Sequence, residues 1–187
     1  MYSYKIEPVT AYPDDYNTML NLAKEERNSN ARPDIKNPLN NINKYDTILL
    51  GYPIWYSYLP NIMINQLEKL NLKGKTIYPF NTHRGSGIGS SIEDIKAAAT
   101  GATIKNGFPI SQSNIQNKDS SLEQIRKWVN DNNLQTTSEQ TNDTSTNFIS
   151  DRNSSVNESF DDFRNQTSNY NIIKISYFLY LILNMLL

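Results

Sequence analysis

The chain has 187 residues, of which 37% are hydrophobic, and its formal net charge is −1. This length suffices for one domain with a hydrophobic core, and the balanced charge without a Lys/Arg cluster argues against nucleic-acid binding. With no cysteine and a single histidine, the chain has neither a disulfide framework nor a thiolate or multi-histidine metal site. The N-terminus lacks an apolar stretch behind a positive start, so we predict no secretory signal and a cytoplasmic location.

The first third of the chain predicts two strands and one helix. Apolar and polar residues alternate over 2–6, which is typical of an edge strand. Apolar residues recur at helical spacing over 16–27 and predict an amphipathic surface helix. Residues 28–43 have no sustained period and are interpreted as a connection. The continuous apolar run 48–50 predicts a strand that is buried on both faces, near the centre of a sheet.

The next part predicts three helices that alternate with two strands. Helices are predicted over 60–70, 90–99 and 120–133, the first opened by a proline and the other two by a Ser and a Glu at capping-box spacing. Strands are predicted over 76–80 and 102–108. Strict alternation of strands and helices favours an α/β fold with a parallel sheet and helices on both faces.

The composition changes after residue 134. Residues 135–171 are rich in Asn, Ser, Thr and Asp, so we predict a disordered polar linker that buries too little apolar surface to fold. Residues 172–187 then form a short apolar tail of 16 residues, just below the roughly 17–25 that span a bilayer. A membrane-associated helix, an interfacial segment and an artefact of the reading frame all remain open for this tail. The predicted domain is therefore 1–134.

Two runs carry the chemistry that the sequence offers, YDTILLGYPIWYSYLP at 45–60 and THRGSGIGSS at 82–91. Each follows a short apolar strand, and open α/β sheets bind ligands at the carboxyl ends of their strands. Trp55 and Tyr58 offer flat aromatic surfaces that suit the isoalloxazine ring of a flavin. The alternative is that both are rim aromatics that pack on a neighbouring helix.

The second run is rich in glycine. Its backbone N–H groups and short hydroxyls suit the polar edge of a flavin ring, although glycine also serves turn geometry alone. His83 and Arg84 stand where a charge tunes a redox potential or meets a nicotinamide donor, or they are simply an exposed loop pair. No acid/base carboxylate pair, nucleophile elbow or Walker loop is evident, so we assign no catalytic or metal-binding residue and disfavour hydrolase chemistry.

These runs, together with KIEPVTAYPDDYNTMLNLAKEERNSNARPDI near the N-terminus and the last predicted helix, resemble the flavodoxin family, particularly its short bacterial members. The likeness covers about 4–134 and implies a flavodoxin-like, doubly wound parallel sheet. It also implies FMN-dependent electron transfer, or reduction of a quinone-like acceptor by a nicotinamide donor, with a redox protein as the other class of partner. The resemblance assigns FMN binding to Pro53, Ile54, Trp55, Tyr56, Tyr58, Thr82, His83, Arg84, Gly85, Ser86 and Gly87.

One departure from the family is large. Its members begin with a strand, a Ser/Thr-rich phosphate loop and a helix, whereas this chain starts at what would be their second strand and reads as N-terminally truncated. In the strand order 2-1-3-4-5 the missing strand lies between 2–6 and 48–50, so its loss leaves two hydrogen-bond ladders unpaired. Unpaired buried groups cost about 1–3 kcal/mol each against a total stability of about 5–15 kcal/mol.

We therefore expect a marginal monomer, unless the first strand shifts inward to pair directly with the third, and weak FMN binding. Two functions remain open at this point. The first is an FMN-binding oxidoreductase or electron carrier whose front part comes from an upstream segment or whose site is impaired. The second is a non-catalytic remnant, membrane-tethered through 172–187, with no bound flavin.

Overall fold

The computed structural model describes residues 2–115, 117–134 and 172–176. Its elements are β1 (Tyr2–Lys5), α1 (Tyr16–Asn28), β2 (Thr47–Pro53), α2 (Asn61–Glu68), β3 (Thr76–His83), α3 (Ser91–Ala98), β4 (Thr103–Ile104), β5 (Phe108–Ser111), α4 (Gln112–Ile115), α5 (Lys118–Asp131) and β6 (Ile172–Ser176). The strands form one sheet in the order β1-β6-β2-β3-β4, with β5 also paired to β3. All of these pairings are parallel. The predicted flavodoxin-like α/β fold is confirmed.

β6 occupies the sheet position between β1 and β2, where the sequence predicted that a strand was missing. This strand lies between β1 and β2 and pairs with both, so that Ile173 is opposite Tyr2 on one side and Ile48 on the other. The first strand therefore does not shift inward, and the two ladders are not left unpaired. A membrane-associated helix was one of the alternatives left open for 172–187, and the structure has a strand, not a helix, at 172–176. Residues 177–187 lie outside the described residues, as does the predicted linker 135–171.

The main core lies between the sheet and the layer formed by α1, α2 and α3. Ile48, Leu50 and Ile77 point from the strands into this layer and are fully buried, as are Met63 of α2 and Ile95 of α3. Alternate strand residues point to the opposite face, as the two-residue period of a strand requires. There Tyr78, Phe80 and Phe108 surround Trp128 of α5, with ring centroids 5.4–6.4 Å apart. Helices thus cover both faces of the sheet.

Buried amides of α2 hold the irregular connection that follows α1. Asn61 donates to the carbonyl oxygens of Glu26 and Ala31, and Asn65 donates to that of Pro33. Gln66 both donates to and accepts from the backbone of Leu39. These bonds satisfy polar groups that would otherwise be unpaired in the core, so the segment has a fixed path without regular structure.

Local signals placed the elements better than their ends. Neither predicted capping box forms: the Ser90 side chain makes no cap hydrogen bond, and α5 is capped by Asn117, whose side chain accepts from the Ser120 N–H at 3.2 Å. The predicted strand 102–108 is split into β4 and β5, which pair with successive parts of β3. Within the described ranges, no helix combines the length and apolar character needed to cross a bilayer.

Candidate functional site

The two loops predicted to cooperate lie side by side at the carboxyl edge of the sheet. We call residues 54–59, after β2, the first loop and residues 84–90, after β3, the second loop. Pro53 is opposite Thr82 in the parallel register, and the Ile54 N–H donates to the Thr82 carbonyl at 2.8 Å. Further out, the Ser90 N–H donates to the Ser57 carbonyl at 2.9 Å. The convergence on which the flavin hypothesis depends is therefore present.

The first loop is a tight hairpin. Trp55 and Tyr58 exchange both backbone hydrogen bonds, at 3.1 and 2.8 Å, so that Tyr56 and Ser57 form a two-residue turn. Both turn residues have positive φ, +47° for Tyr56 and +68° for Ser57. Turns of this kind normally carry Asn and Gly, because other side chains are strained in the left-handed region. Tyr56, at the tip of this turn, is 45% exposed.

Side chains from α1 and α3 hold the hairpin in place. The Arg27 guanidinium lies over the Tyr58 ring, 3.9 Å from its centroid, and pairs with the Asp94 carboxylate at 2.7 Å. The other carboxylate oxygen of Asp94 accepts from the Leu59 N–H at 3.1 Å. This arrangement holds the first loop to two helices at once. Sequence reasoning missed it, because no local pattern links residues 67 positions apart.

A second set of contacts fixes Trp55. The Tyr12 ring meets the indole edge-on, with centroids 4.6 Å apart, and the Tyr12 hydroxyl donates to the Glu26 carboxyl at 3.1 Å. Burial raises the pKa of Glu26, although the bond from Tyr12 opposes the shift. A cavity of about 10 Å³, the size of one water molecule, lies among Glu26, Arg27, Trp55 and Tyr58. These contacts match the alternative in which Trp55 and Tyr58 pack on a neighbouring helix.

The second loop is supported by buried polar groups. Asn81 donates to the Gly87 carbonyl at 3.0 Å, and Ser91 donates to the Ile88 carbonyl at 2.6 Å. The Tyr52 hydroxyl lies 2.9 Å from the Ser91 hydroxyl, and burial raises the pKa of Tyr52 to about 12. Asn81 Oδ1 is buried and has no hydrogen-bond partner among the described residues. The loop thus has a polar foundation that leaves one acceptor unsatisfied.

The charged pair predicted at the loop mouth is ordered by neighbours. The His83 ring accepts from the Gly85 N–H through Nδ1 at 3.0 Å, so the neutral ring carries its proton on Nε2. Burial lowers the pKa of His83. The Arg84 guanidinium lies over the Tyr16 ring, 4.6 Å from its centroid. Neither residue is simply an exposed loop side chain.

A depression of about 380 Å³ opens beside this pair. It is lined by His83, Arg84 and Gly85 from the edge of β3 and by Ser111, Gln112 and Ser113 from β5 and α4. No residue of the first loop lines it. The backbone N–H groups of Ser86 and Gly87 make no hydrogen bond to any other described residue, so they can donate to a ligand. The donors belong to the second loop, and the depression lies between the start of that loop and the β5–α4 junction.

Fold and loops together define a doubly wound α/β protein whose first and second loops meet at the carboxyl ends of the strands, the edge at which folds of this type bind ligands. The flavodoxin family model matches residues 3–132. This chain belongs to the flavodoxin family.

Two solved structures with 32% and 26% identity to this chain support the fold. A candidate flavoprotein from Bacteroides eggerthii DSM 20697 is 32% identical, with 68% of this chain and 78% of that chain covered and a TM-score of 0.54. Another from Bacteroides uniformis ATCC 8492 is 26% identical, with 68% and 80% covered and a TM-score of 0.58. A flavoprotein from Lactobacillus acidophilus NCFM, solved in complex with FMN, is 19% identical, with 66% and 76% covered and a TM-score of 0.49. No protein of curated function matches this sequence with significance.

Proposed function

We propose that this chain binds FMN through the first and second loops and serves in electron transfer or in nicotinamide-dependent reduction of a quinone-like acceptor. The observation that supports this most directly is the contact between the loops, in which Ser90 donates to Ser57. That bond brings the aromatic hairpin and the glycine-rich turn to one edge of the sheet, where ligands bind in folds of this type. Membership of the flavodoxin family gives independent support.

The residues present suit a flat, polar-edged ring. The N–H groups of Ser86 and Gly87 are available to donate to the ring's carbonyl edge, and such fixed donors stabilise negative charge that develops on a bound group. The exposed Tyr56 side chain of the first loop offers a further aromatic surface. FMN, when bound, supplies one- and two-electron redox chemistry. The chain's own part is to position the ring and to limit its contact with water.

We assign His83 the role of a neutral hydrogen-bond donor. Its Nδ1 accepts from the Gly85 N–H, and the lowered pKa keeps the ring uncharged at neutral pH. The Nε2 proton is then available to an acceptor in the depression that His83 lines. Protonation of Nδ1 would remove the bond to Gly85, so acidification should alter the second loop as well as the charge.

A second candidate function is a non-catalytic protein without flavin. The observation that favours it is the engagement of the aromatic rings: Arg27 lies on the Tyr58 ring, and Trp55 packs edge-on with Tyr12. In addition, the 380 Å³ depression is lined from the second loop and not from the first. Under this alternative the aromatic hairpin only packs against α1 and its preceding loop.

Titration with FMN and with riboflavin separates these candidates. Flavin fluorescence should be quenched on binding, and both flavins should bind within about threefold of one another, because the proposed contacts are to the ring and not to the phosphate. Trp55→Ala should weaken FMN binding at least tenfold. Trp128→Phe, a change to the chain's other tryptophan on the opposite face of the sheet, should not weaken it.

Three results would count against the proposal. No quenching at millimolar FMN would support the flavin-free candidate. Equal affinity in the two tryptophan variants would exclude the first loop from the site. FMN binding a hundredfold tighter than riboflavin would mean that the phosphate, and not the ring, determines affinity. Nicotinamide-dependent reduction of a quinone, assayed with the FMN-loaded chain, then distinguishes an enzyme from an electron carrier.

A further inference from the structure

The strand at the centre of the β1-β6-β2 arrangement comes from far along the chain. β6 follows the segment 135–171, which is 37 residues long and rich in Asn, Ser and Thr. Its backbone pairs with β1 over four positions and with β2 over five. Within the described ranges, β6 is the sheet neighbour through which β1 joins the other strands.

β1 nevertheless has anchors that do not involve β6. The Tyr4 hydroxyl contacts Gln66 Oε1 of α2 at 3.0 Å and the Asn37 carbonyl at 2.8 Å. Just beyond the strand, the Lys36 N–H donates to the Glu7 carbonyl at 2.8 Å. These bonds tie β1 to the helical layer and to the connection after α1. A slot one strand wide would therefore persist between β1 and β2 if β6 left.

The slot also has an apolar floor. Ile173 is fully buried and lies in the core cluster with Tyr4, Ile48 and Leu50. Ile172, opposite Thr47, is also buried. An extended peptide with isoleucine at these positions gains both backbone hydrogen bonds and core contacts, which is how β-strand addition achieves affinity and specificity.

We propose that the space between β1 and β2 is a peptide-binding slot whose ligand is the chain's own segment 172–176, which docks as a separate unit. Residues 135–171, called the tether below, connect the segment covalently to the rest of the chain over 37 positions. Covalent connection gives the segment a much higher local concentration at the slot than a separate molecule has at micromolar concentration. The segment of a second copy, at micromolar concentration, then competes poorly, so the occupant comes from the same chain.

Docking also bears on the cofactor, a step that rests on the proposed function. Ser176, the last residue of β6, is opposite Gly51, two residues before the end of β2. β6 therefore supports the part of β2 from which the first loop begins. If FMN binds through that loop, docking of 172–176 and FMN binding stabilise one another, because coupling between two sites is reciprocal.

Engineered cysteines test which copy fills the slot. The chain has no native cysteine, and Thr47 and Ile172 are paired in adjacent strands, at a spacing of about 4.8 Å that a disulfide can bridge. The variant Thr47→Cys with Ile172→Cys should oxidise to a cross-linked monomer. A mixture of the two single variants at micromolar concentration should give little covalent heterodimer. Heterodimer as the main product, or no cross-link in either sample, would overturn the proposal.

Hydrogen exchange on the full chain tests whether β6 docks separately. Ile173→Asp should abolish protection in β1 and β6 while the β2–β3 ladder and α2 stay protected, and an added peptide of residues 170–177 should restore protection in β1. The same substitution in the tether, Ile149→Asp, should change nothing. Loss of protection throughout β2 and β3 would show instead that β6 is integral to one folding unit.

Flavin titration of the same two variants tests the coupling. FMN affinity should fall at least tenfold in Ile173→Asp relative to Ile149→Asp. Equal affinities would refute the coupling. If neither variant nor the parent chain binds FMN, the proposed function fails, whereas the cross-linking and exchange results still decide the docking proposal.

Discussion

Gly89 is the position at which the contact between the two loops can be tested most directly. Its φ is +55°, and a Cβ at this position would overlap the Ser57 carbonyl oxygen. Gly89→Ala therefore places an alanine in the left-handed region, at a cost of about 1–2 kcal/mol. It also displaces the Ser57 carbonyl that accepts from Ser90, which costs about 0.5–1.5 kcal/mol more. We expect a decrease of about 1.5–3.5 kcal/mol in the free energy of unfolding, measured by urea denaturation. Affinity for FMN should fall at least tenfold.

Gly74→Ala is the matched control. Gly74 also has a positive φ, +77°, but a Cβ there would have no heavy atom within 4 Å. This variant should lose only the strain, about 1–2 kcal/mol, and keep its FMN affinity. If the two variants lose the same stability and bind FMN equally, the loops are not in contact in solution and the reasoning that joins them is refuted.

Three further substitutions probe the supports of the site. Asp94→Asn, which removes the charge shared by Arg27 and the Leu59 N–H, should cost about 1.5–3 kcal/mol in urea denaturation; a loss below 0.5 kcal/mol or so would contradict this role. Because burial raises the pKa of Glu26, its carboxyl group stabilises the folded chain at pH values below the ordinary pKa of 4.5. This stabilisation is lost as pH rises through the raised pKa. The free energy of unfolding of Glu26→Gln should therefore rise relative to that of the parent chain as pH increases from 4.5. Parallel curves of unfolding free energy against pH would refute this. Glu68→Gln, which breaks a partly exposed pair with Arg32, should cost under about 1 kcal/mol and lose its effect in high salt.

Local patterns predicted most of the fold. The apolar run at 48–50 became the buried part of β2, and the stripe of Met63, Ile64 and Leu67 became the buried face of α2. Both succeeded because hydrophobic periodicity reports burial directly. The ends of helices were less predictable, because a cap depends on which side chain reaches the free N–H group and not on residue spacing alone.

The strand β6 was not predicted, because the apolar tail 172–187 was compared only with the length that spans a bilayer and not with the length of a strand. Ile172, Ile173 and Ile175 are β-branched, and this enrichment was the signal that favoured a strand. The supports of the first loop carried no comparable signal. Glu26 reads as an ordinary polar position of an amphipathic helix, and its burial follows from tertiary packing that a single sequence does not display.

The first loop stores strain that its supports must offset. Two residues in the left-handed region cost about 1–2 kcal/mol each, and a hairpin alone gains only two backbone hydrogen bonds at its base. The balance comes from Arg27 and Asp94, which tie the loop to α1 and α3. Because these contacts are already made, a ligand has little ordering cost to meet at this loop. Under the docking proposal, the variable part of the site is the sheet beneath this loop, so occupancy of the slot by 172–176, and not closure of the loop, should govern affinity for FMN.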